Sequence, residues 1–166
     1  ILWAAIYAII ISVLLVAIKI GIYAFSGSAA VLATLVDSIV DVFVSCLLFF
    51  ALRYSFRPAD YDHRHGHGKM EGLASLFQSA LMIGAGLFVI YESIQKLNAP
   101  YEIAHHGWAI GALIVSILLS ASIVFVQNHV LKSNDSLILQ ADLAHYKTDL
   151  FLNVSVILSL GFNWMN

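Results

Sequence analysis

Charge is scarce in this sequence, with Asp, Glu, Lys and Arg together making up 11% of its 166 residues. Eight Lys and Arg against ten Asp and Glu leave a net charge of −2, too little cationic surface for nucleic-acid binding, which is excluded as a partner class. Cysteine is almost missing. Cys46 is the single one; it cannot close an intrachain disulfide and says nothing about redox compartment. The short hydrophobic core and small-residue cleavage site of a secretory leader are lacking too. The chain opens instead on a long apolar run, so the first helix is expected to be retained. Neither an internal repeat nor a soluble domain is legible.

What is abundant is apolar surface: 61% of the residues are hydrophobic and the mean hydropathy is +0.90, well above the soluble-domain norm. A water-soluble fold could not hide that much. A bilayer core of about 30 Å takes about 20 helical residues, and the sequence predicts five such spans, at about 2–25, 29–54, 73–97, 108–131 and 143–164. Ser26-Gly27-Ser28, Asn98-Ala99-Pro100 and Ser133-Asn134-Asp135 act as breakers. The expected fold class is an all-α membrane protein, a bundle of transmembrane helices. Charge gathers between spans two and three, where Arg53 to Glu71 holds four cations, three acids and three histidines. Arg53, Arg57, Arg64 and Lys69 there, with Lys132 in the next loop on that side, predict those loops to be cytoplasmic. Lys19 and Lys96 are a weaker set near span ends on the opposite side. The N-terminus is then inside, span five ends outside, and a sixth helix is expected to return the chain inward.

Ionisable groups inside a span cost roughly 2.5–3.5 kcal/mol each on insertion scales, so the few present call for a purpose. Asp37 and Asp41 lie four residues apart in span two, on one helix face and one turn apart. His145 and Asp149 repeat that spacing in span five. If the two faces meet, three carboxylates and one imidazole converge as a tetrahedral donor set suited to zinc and tolerable for iron, cobalt or cadmium. The alternative is a pair of polar packing contacts or a proton relay without metal. Lys147 lies between His145 and Asp149, but its spacing turns it away from their face.

The loop Asp60-Tyr61-Asp62-His63-Arg64-His65-Gly66-His67-Gly68-Lys69 is a second concentration of ligand types, with glycines that allow a tight turn around an ion. It reads equally as a solvated loop with incidental histidines. Glu71 is expected near the start of span three, where the helix dipole favours an anion. Blander readings suit the rest: Gln78, Ser79, Ser116, Asn153 and Ser155 as hydrogen-bonding partners between helices, Gly84 and Gly86 as points of close helix approach, and Trp3, Tyr91, Trp108 and Trp164 as an interfacial belt. His105, His106 and His129 stand at span edges.

Taken together, Asp37-Ser38-Ile39-Val40-Asp41, the run from Pro58-Ala59-Asp60 to His67-Gly68-Lys69-Met70-Glu71, and His145-Tyr146-Lys147-Thr148-Asp149 resemble the cation diffusion facilitator family, in its order and spacing. The resemblance implies a transport site at Asp37, Asp41, His145 and Asp149, and a second metal site in the loop at Asp60, His63 and His67. It implies a bacterial inner-membrane transporter, not an enzyme and without a cofactor, that exports zinc, or ferrous iron or cadmium, in exchange for protons. It further implies membrane lipid as surroundings, six helices, and a cytoplasmic C-terminal domain whose binuclear zinc site helps hold a homodimer. Two other classes stand beside this reading. A membrane di-iron oxidase would need about eight histidines in several boxes, and the chain has seven, some of them on different edges. A sensor or scaffold would bind metal at the same residues without flux.

Overall fold

The computed structural model describes residues 1–26, 29–98 and 106–165. Within them the chain forms five helices, α1 (Leu2–Ser26), α2 (Ala29–Ser55), α3 (Lys69–Asn98), α4 (His106–Leu131) and α5 (Leu137–Met165), and no strand. The breaks expected at Gly27-Ser28 and Ala99-Pro100, and His105, fall outside the described residues, as do the side chains of Lys96, His106, Trp108 and Trp164. Among the described residues, four helices, α1 to α4, contain stretches long and apolar enough to cross a membrane. The fifth, α5, carries Gln140, Asp142, His145, Lys147, Thr148 and Asp149 in its first half.

Two helices begin earlier than the apolar pattern suggests, α3 at Lys69 and α5 at Leu137. Capping explains the start of α5, because an N-terminal turn needs partners for its free N–H groups more than it needs apolar residues. Ser136 caps α5, its Oγ accepting from the Leu139 N–H at 3.3 Å. The same hydroxyl donates to Glu71 Oε1 at 2.5 Å, and the Ile138 N–H adds a longer bond to that oxygen at 3.4 Å. Glu71 in the first turn of α3 is thus also the anion at the N-terminus of α5, which suits the dipole of both helices. At the other end of that connection, Asn134 Nδ2 donates to the Val130 carbonyl at 3.0 Å and closes α4.

α1 packs along α2 and α4, α4 lies on α5, and α3 leans on α5 and α2. Small residues let α1 approach closely: Ala4 and Ala8 are fully buried and Ala5 nearly so. One apolar cluster joins Ala5, Val44, Leu48, Leu52, Ala74 and Ile138, with Ile1 and Leu2 against it, so the N-terminus sits at the same end of the bundle as the α2–α3 loop. Trp3 and Tyr91 are exposed, as a belt requires. α3 exposes apolar side chains through most of its length, among them Leu76, Ile83, Leu87 and Phe88, the pattern of a helix whose solvent is lipid. Gly84 and Gly86 have open space where a Cβ would lie, so among the described residues they mediate no close approach. Ser79 and Ser155 also depart from the interhelical reading, each donating back to its own helix, at Ser75 O and Phe151 O.

A buried tyrosine fixes how α5 is rotated. Tyr146 is 1% exposed, and its hydroxyl reaches Ser12 Oγ on α1 at 2.7 Å and Ser45 Oγ on α2 at 3.0 Å. Tyr146→Phe is expected to cost about 1 kcal/mol, the usual worth of such a bond between membrane helices. Thermal melting of the detergent-purified protein reads this directly, and an unchanged melting temperature would show the hydroxyl to be idle.

Candidate metal centre

With Tyr146 inserted between α1 and α2, its neighbour His145 is aimed at α2. His145 Nε2 lies 3.1 Å from Asp41 Oδ1 and 3.5 Å from Asp149 Oδ2. Ligand atoms of Asp41, His145 and Asp149 all fall within 4.8 Å of one another. Donors on a tetrahedron with bonds of 2.0–2.1 Å stand roughly 3.3 Å apart, so these gaps are the size of one zinc coordination shell. All three side chains are partly buried, between 21% and 30% exposed. The i, i+4 spacing puts His145 and Asp149 on one face of α5, and only tertiary packing adds Asp41. Asp37 lies one turn before Asp41 on α2 and outside that three-residue cluster, near enough for its charge to act on Asp149. Lys147 is exposed.

A second group forms in the loop before α3, where ligand atoms of Asp60, His63 and His67 also lie within 4.8 Å of one another. Asp60 Oδ1 accepts from the His63 backbone N–H at 2.7 Å and stands 3.1 Å from His63 Nδ1, while Oδ2 is 3.5 Å from His67 Nε2. The His63 N–H, then the His63 ring, holds the Asp60 carboxyl below the ordinary carboxylate range. Gly66 makes the turn possible: it adopts φ +73°, which disfavours any side chain, and its N–H closes on the His63 carbonyl at 2.9 Å. His67 is buried edge-on against Tyr54, its Nδ1 without a hydrogen-bond partner. His65 is exposed and outside the group, and His129 is exposed at the end of α4, so the described histidines do not assemble a multi-box centre.

The loop and the membrane-level cluster are linked through the first turn of α3. The His67 and Gly68 carbonyls accept from Met70 and Glu71 to start α3, and Glu71 in turn caps α5, which carries His145 and Asp149.

Two residues with a bearing on this region escape a sequence reading. Asp142 is 4% exposed and accepts from Gln127 Nε2 on α4 at 2.6 Å, leaving Asp142 Oδ1 and Gln127 Oε1 buried without partners. A hydropathy count starts the fifth span at Leu143 and leaves Asp142 in a polar connection. The signal that could have found it is the i, i+3 spacing to His145. Lys19 is the other. Instead of marking a span end it is 8% exposed and donates to Ser38 Oγ at 2.7 Å and the Thr34 carbonyl at 3.0 Å, both on α2.

Known proteins are similar to this chain in sequence. A family model described as the cation efflux transmembrane domain matches residues 5–166. A protein of Shewanella oneidensis named cation-efflux pump FieF is 40% identical over 146 residues, 88% of this chain and 49% of that protein. A protein of the same name from Salmonella arizonae is 37% identical over 161 residues, 97% of this chain and 54% of its own length. The chain spans about half the length of the curated relatives it matches.

Proposed function

Because the chain belongs to the cation efflux transmembrane-domain family, we propose that it forms the membrane part of a divalent-metal exporter driven by protons. The motif resemblance to cation diffusion facilitators agrees with that membership. The observation that carries the reading is the meeting of Asp41 with His145 and Asp149 across two helices. Three partly buried ionisable side chains at one point in an apolar bundle are costly unless they serve an ion.

Asp37, Asp41, His145 and Asp149 are the transport site. Two further arguments favour zinc, with ferrous iron and cadmium as alternatives: the imidazole disfavours hard ions such as magnesium and calcium, and the ligand spacing suits a four-coordinate metal. Asp60, His63 and His67 form the loop site, where metal arriving from the cytoplasm is first held. Carboxylates and imidazole bind metal only when deprotonated, so protons and metal compete for the same atoms. Open to a near-neutral cytoplasm the site takes metal; turned to a more acidic exterior it takes protons and lets the metal go.

Orientation rests on the exposed cations Arg53, Arg57, Arg64, Lys69 and Lys132, which gather at the end of the bundle that also holds Ile1. That end is cytoplasmic, with the N-terminus inside. The setting is a bacterial inner membrane, in agreement with the organisms of the relatives. The protein acts as a homodimer with a cytoplasmic domain beyond these helices.

Proton-gradient-driven flux of zinc, iron, cadmium and manganese in proteoliposomes tests the reading, with Asp149→Ala beside the unsubstituted protein. Flux that requires the gradient and disappears in the variant is expected. Metal binding without flux for any of the ions would favour the sensor instead.

A further inference from the structure

Lys19 is the only charged residue on α1, and an ammonium at this depth is as costly as a carboxylate. It does not reach for a membrane surface. Its Nζ is fastened to Ser38 Oγ and the Thr34 carbonyl, and Ser38 stands in sequence between Asp37 and Asp41. The cation is therefore anchored to the turns of α2 that present the two carboxylates, and its field acts on Asp41, Asp37 and Asp149 together. An ammonium has no lone pair to offer a metal, so its contribution there is charge.

Counting charge shows what that contribution is. Asp37, Asp41 and Asp149 bring three negative charges and Lys19 one positive, while His145 binds metal as neutral imidazole. Two negative charges remain, which one divalent cation neutralises. Asp142, the other buried acid nearby, is engaged with Gln127 between α4 and α5, and its field falls on His145 and Tyr146. A neutral loaded cluster is the state that a low-dielectric surrounding tolerates best and the one most easily carried through a change of conformation.

We propose that Lys19 is a fixed countercharge of the transport site, matching its net charge to a divalent cation and keeping metal binding weak enough to reverse. The inference rests on reading Asp37, Asp41, His145 and Asp149 as that site. Removing the ammonium leaves the loaded cluster with a net negative charge, so metal binds more tightly and leaves more slowly.

Lys19→Gln removes the charge while keeping an N–H donor on a side chain one bond shorter; Lys19→Arg keeps the charge. In the reconstituted protein at fixed pH, zinc Kd by calorimetry and zinc KM in transport are expected to fall roughly tenfold in Lys19→Gln, with kcat falling as release slows. Lys19→Arg is expected to restore values near those of the unsubstituted protein. Unchanged or weakened zinc binding in Lys19→Gln would overturn the proposal. If that variant does not yield folded protein, Lys19→Met is read the same way; failure of both neutral variants to fold while Lys19→Arg folds would overturn it in favour of a structural role. Asp149→Ala in the same preparation separates the two levels. Normal zinc binding there removes the transport-site reading itself, whereas lost binding there beside an unaltered Lys19→Gln removes the countercharge alone.

Discussion

Replacing Asp41 with alanine is expected to abolish zinc transport and to weaken zinc binding at the membrane-level site by more than about a hundredfold. The reason lies in how the donors are divided between helices. His145 and Asp149 are both on α5, and Asp41 is the carboxylate of α2 that comes within 3.1 Å of the imidazole. Without it, α5 retains a two-donor pair and α2 retains only Asp37, which lies outside the three-residue cluster. Disturbing a partner one shell out from a metal already costs about 10–100-fold, and a first-shell oxygen costs at least that. The stability cost should be modest, because the Asp41 side chain is 24% exposed and its loss leaves no large cavity. Calorimetry on the folded variant, followed by zinc uptake into proteoliposomes, is the measurement. Zinc transport that survives the substitution would remove the site from the mechanism.

The second large effect concerns pH. Zinc affinity at the membrane-level cluster is expected to fall steeply on acidification, because His145, Asp41 and Asp149 must all give up protons to bind. Below its pKa each competing proton lowers affinity about tenfold per pH unit. The sign is fixed: metal is held on the neutral side and released on the acidic side, the direction export requires. At the loop site the Asp60 carboxyl is held lower than usual by the His63 N–H. It stays anionic further into acid. A lowered carboxyl stabilises the loop above the ordinary carboxylate range, and that contribution is lost as pH falls through the folded-state value. Competition between the protein and a zinc-sensitive dye across the pH range measures both sites, and an affinity that does not change with pH would remove proton competition as the coupling.

Much of this molecule is legible without coordinates. Periodicity was hardly needed for the spans of α1 to α4, since apolar runs of about twenty residues in a chain with 11% charge have no other solvent than lipid. The i, i+4 pairs Asp37/Asp41 and His145/Asp149 declare their shared faces, because helical geometry alone puts such residues one turn apart. Asp60, His63 and His67 stand within eight residues, and the glycine that lets the chain fold back around them can be named from sequence. Family membership followed from the same residues, in agreement with the family model that covers residues 5–166.

Tertiary structure decided the rest, and in each case for the same reason: contacts between helices depend on rotation and depth, which no local pattern encodes. Nothing in the sequence says that Asp41 rather than Asp37 comes closest to His145; the seating of Tyr146 between Ser12 and Ser45 does that. Glu71 reads as a first-turn anion of α3, and only packing makes it the cap of α5 as well. Asp142 looks like a loop residue until α5 is seen to begin at Leu137. Lys19 resembles an interfacial anchor when only its place near a span end is known. Packing of α1 against α2 turns it inward to Ser38, where a single buried charge acts on three carboxylates that are distant from it in the chain. Composition thus determined the solvent, the spans and the ligand inventory, and the arrangement of helices determined which of those ligands share one point and what charge surrounds it.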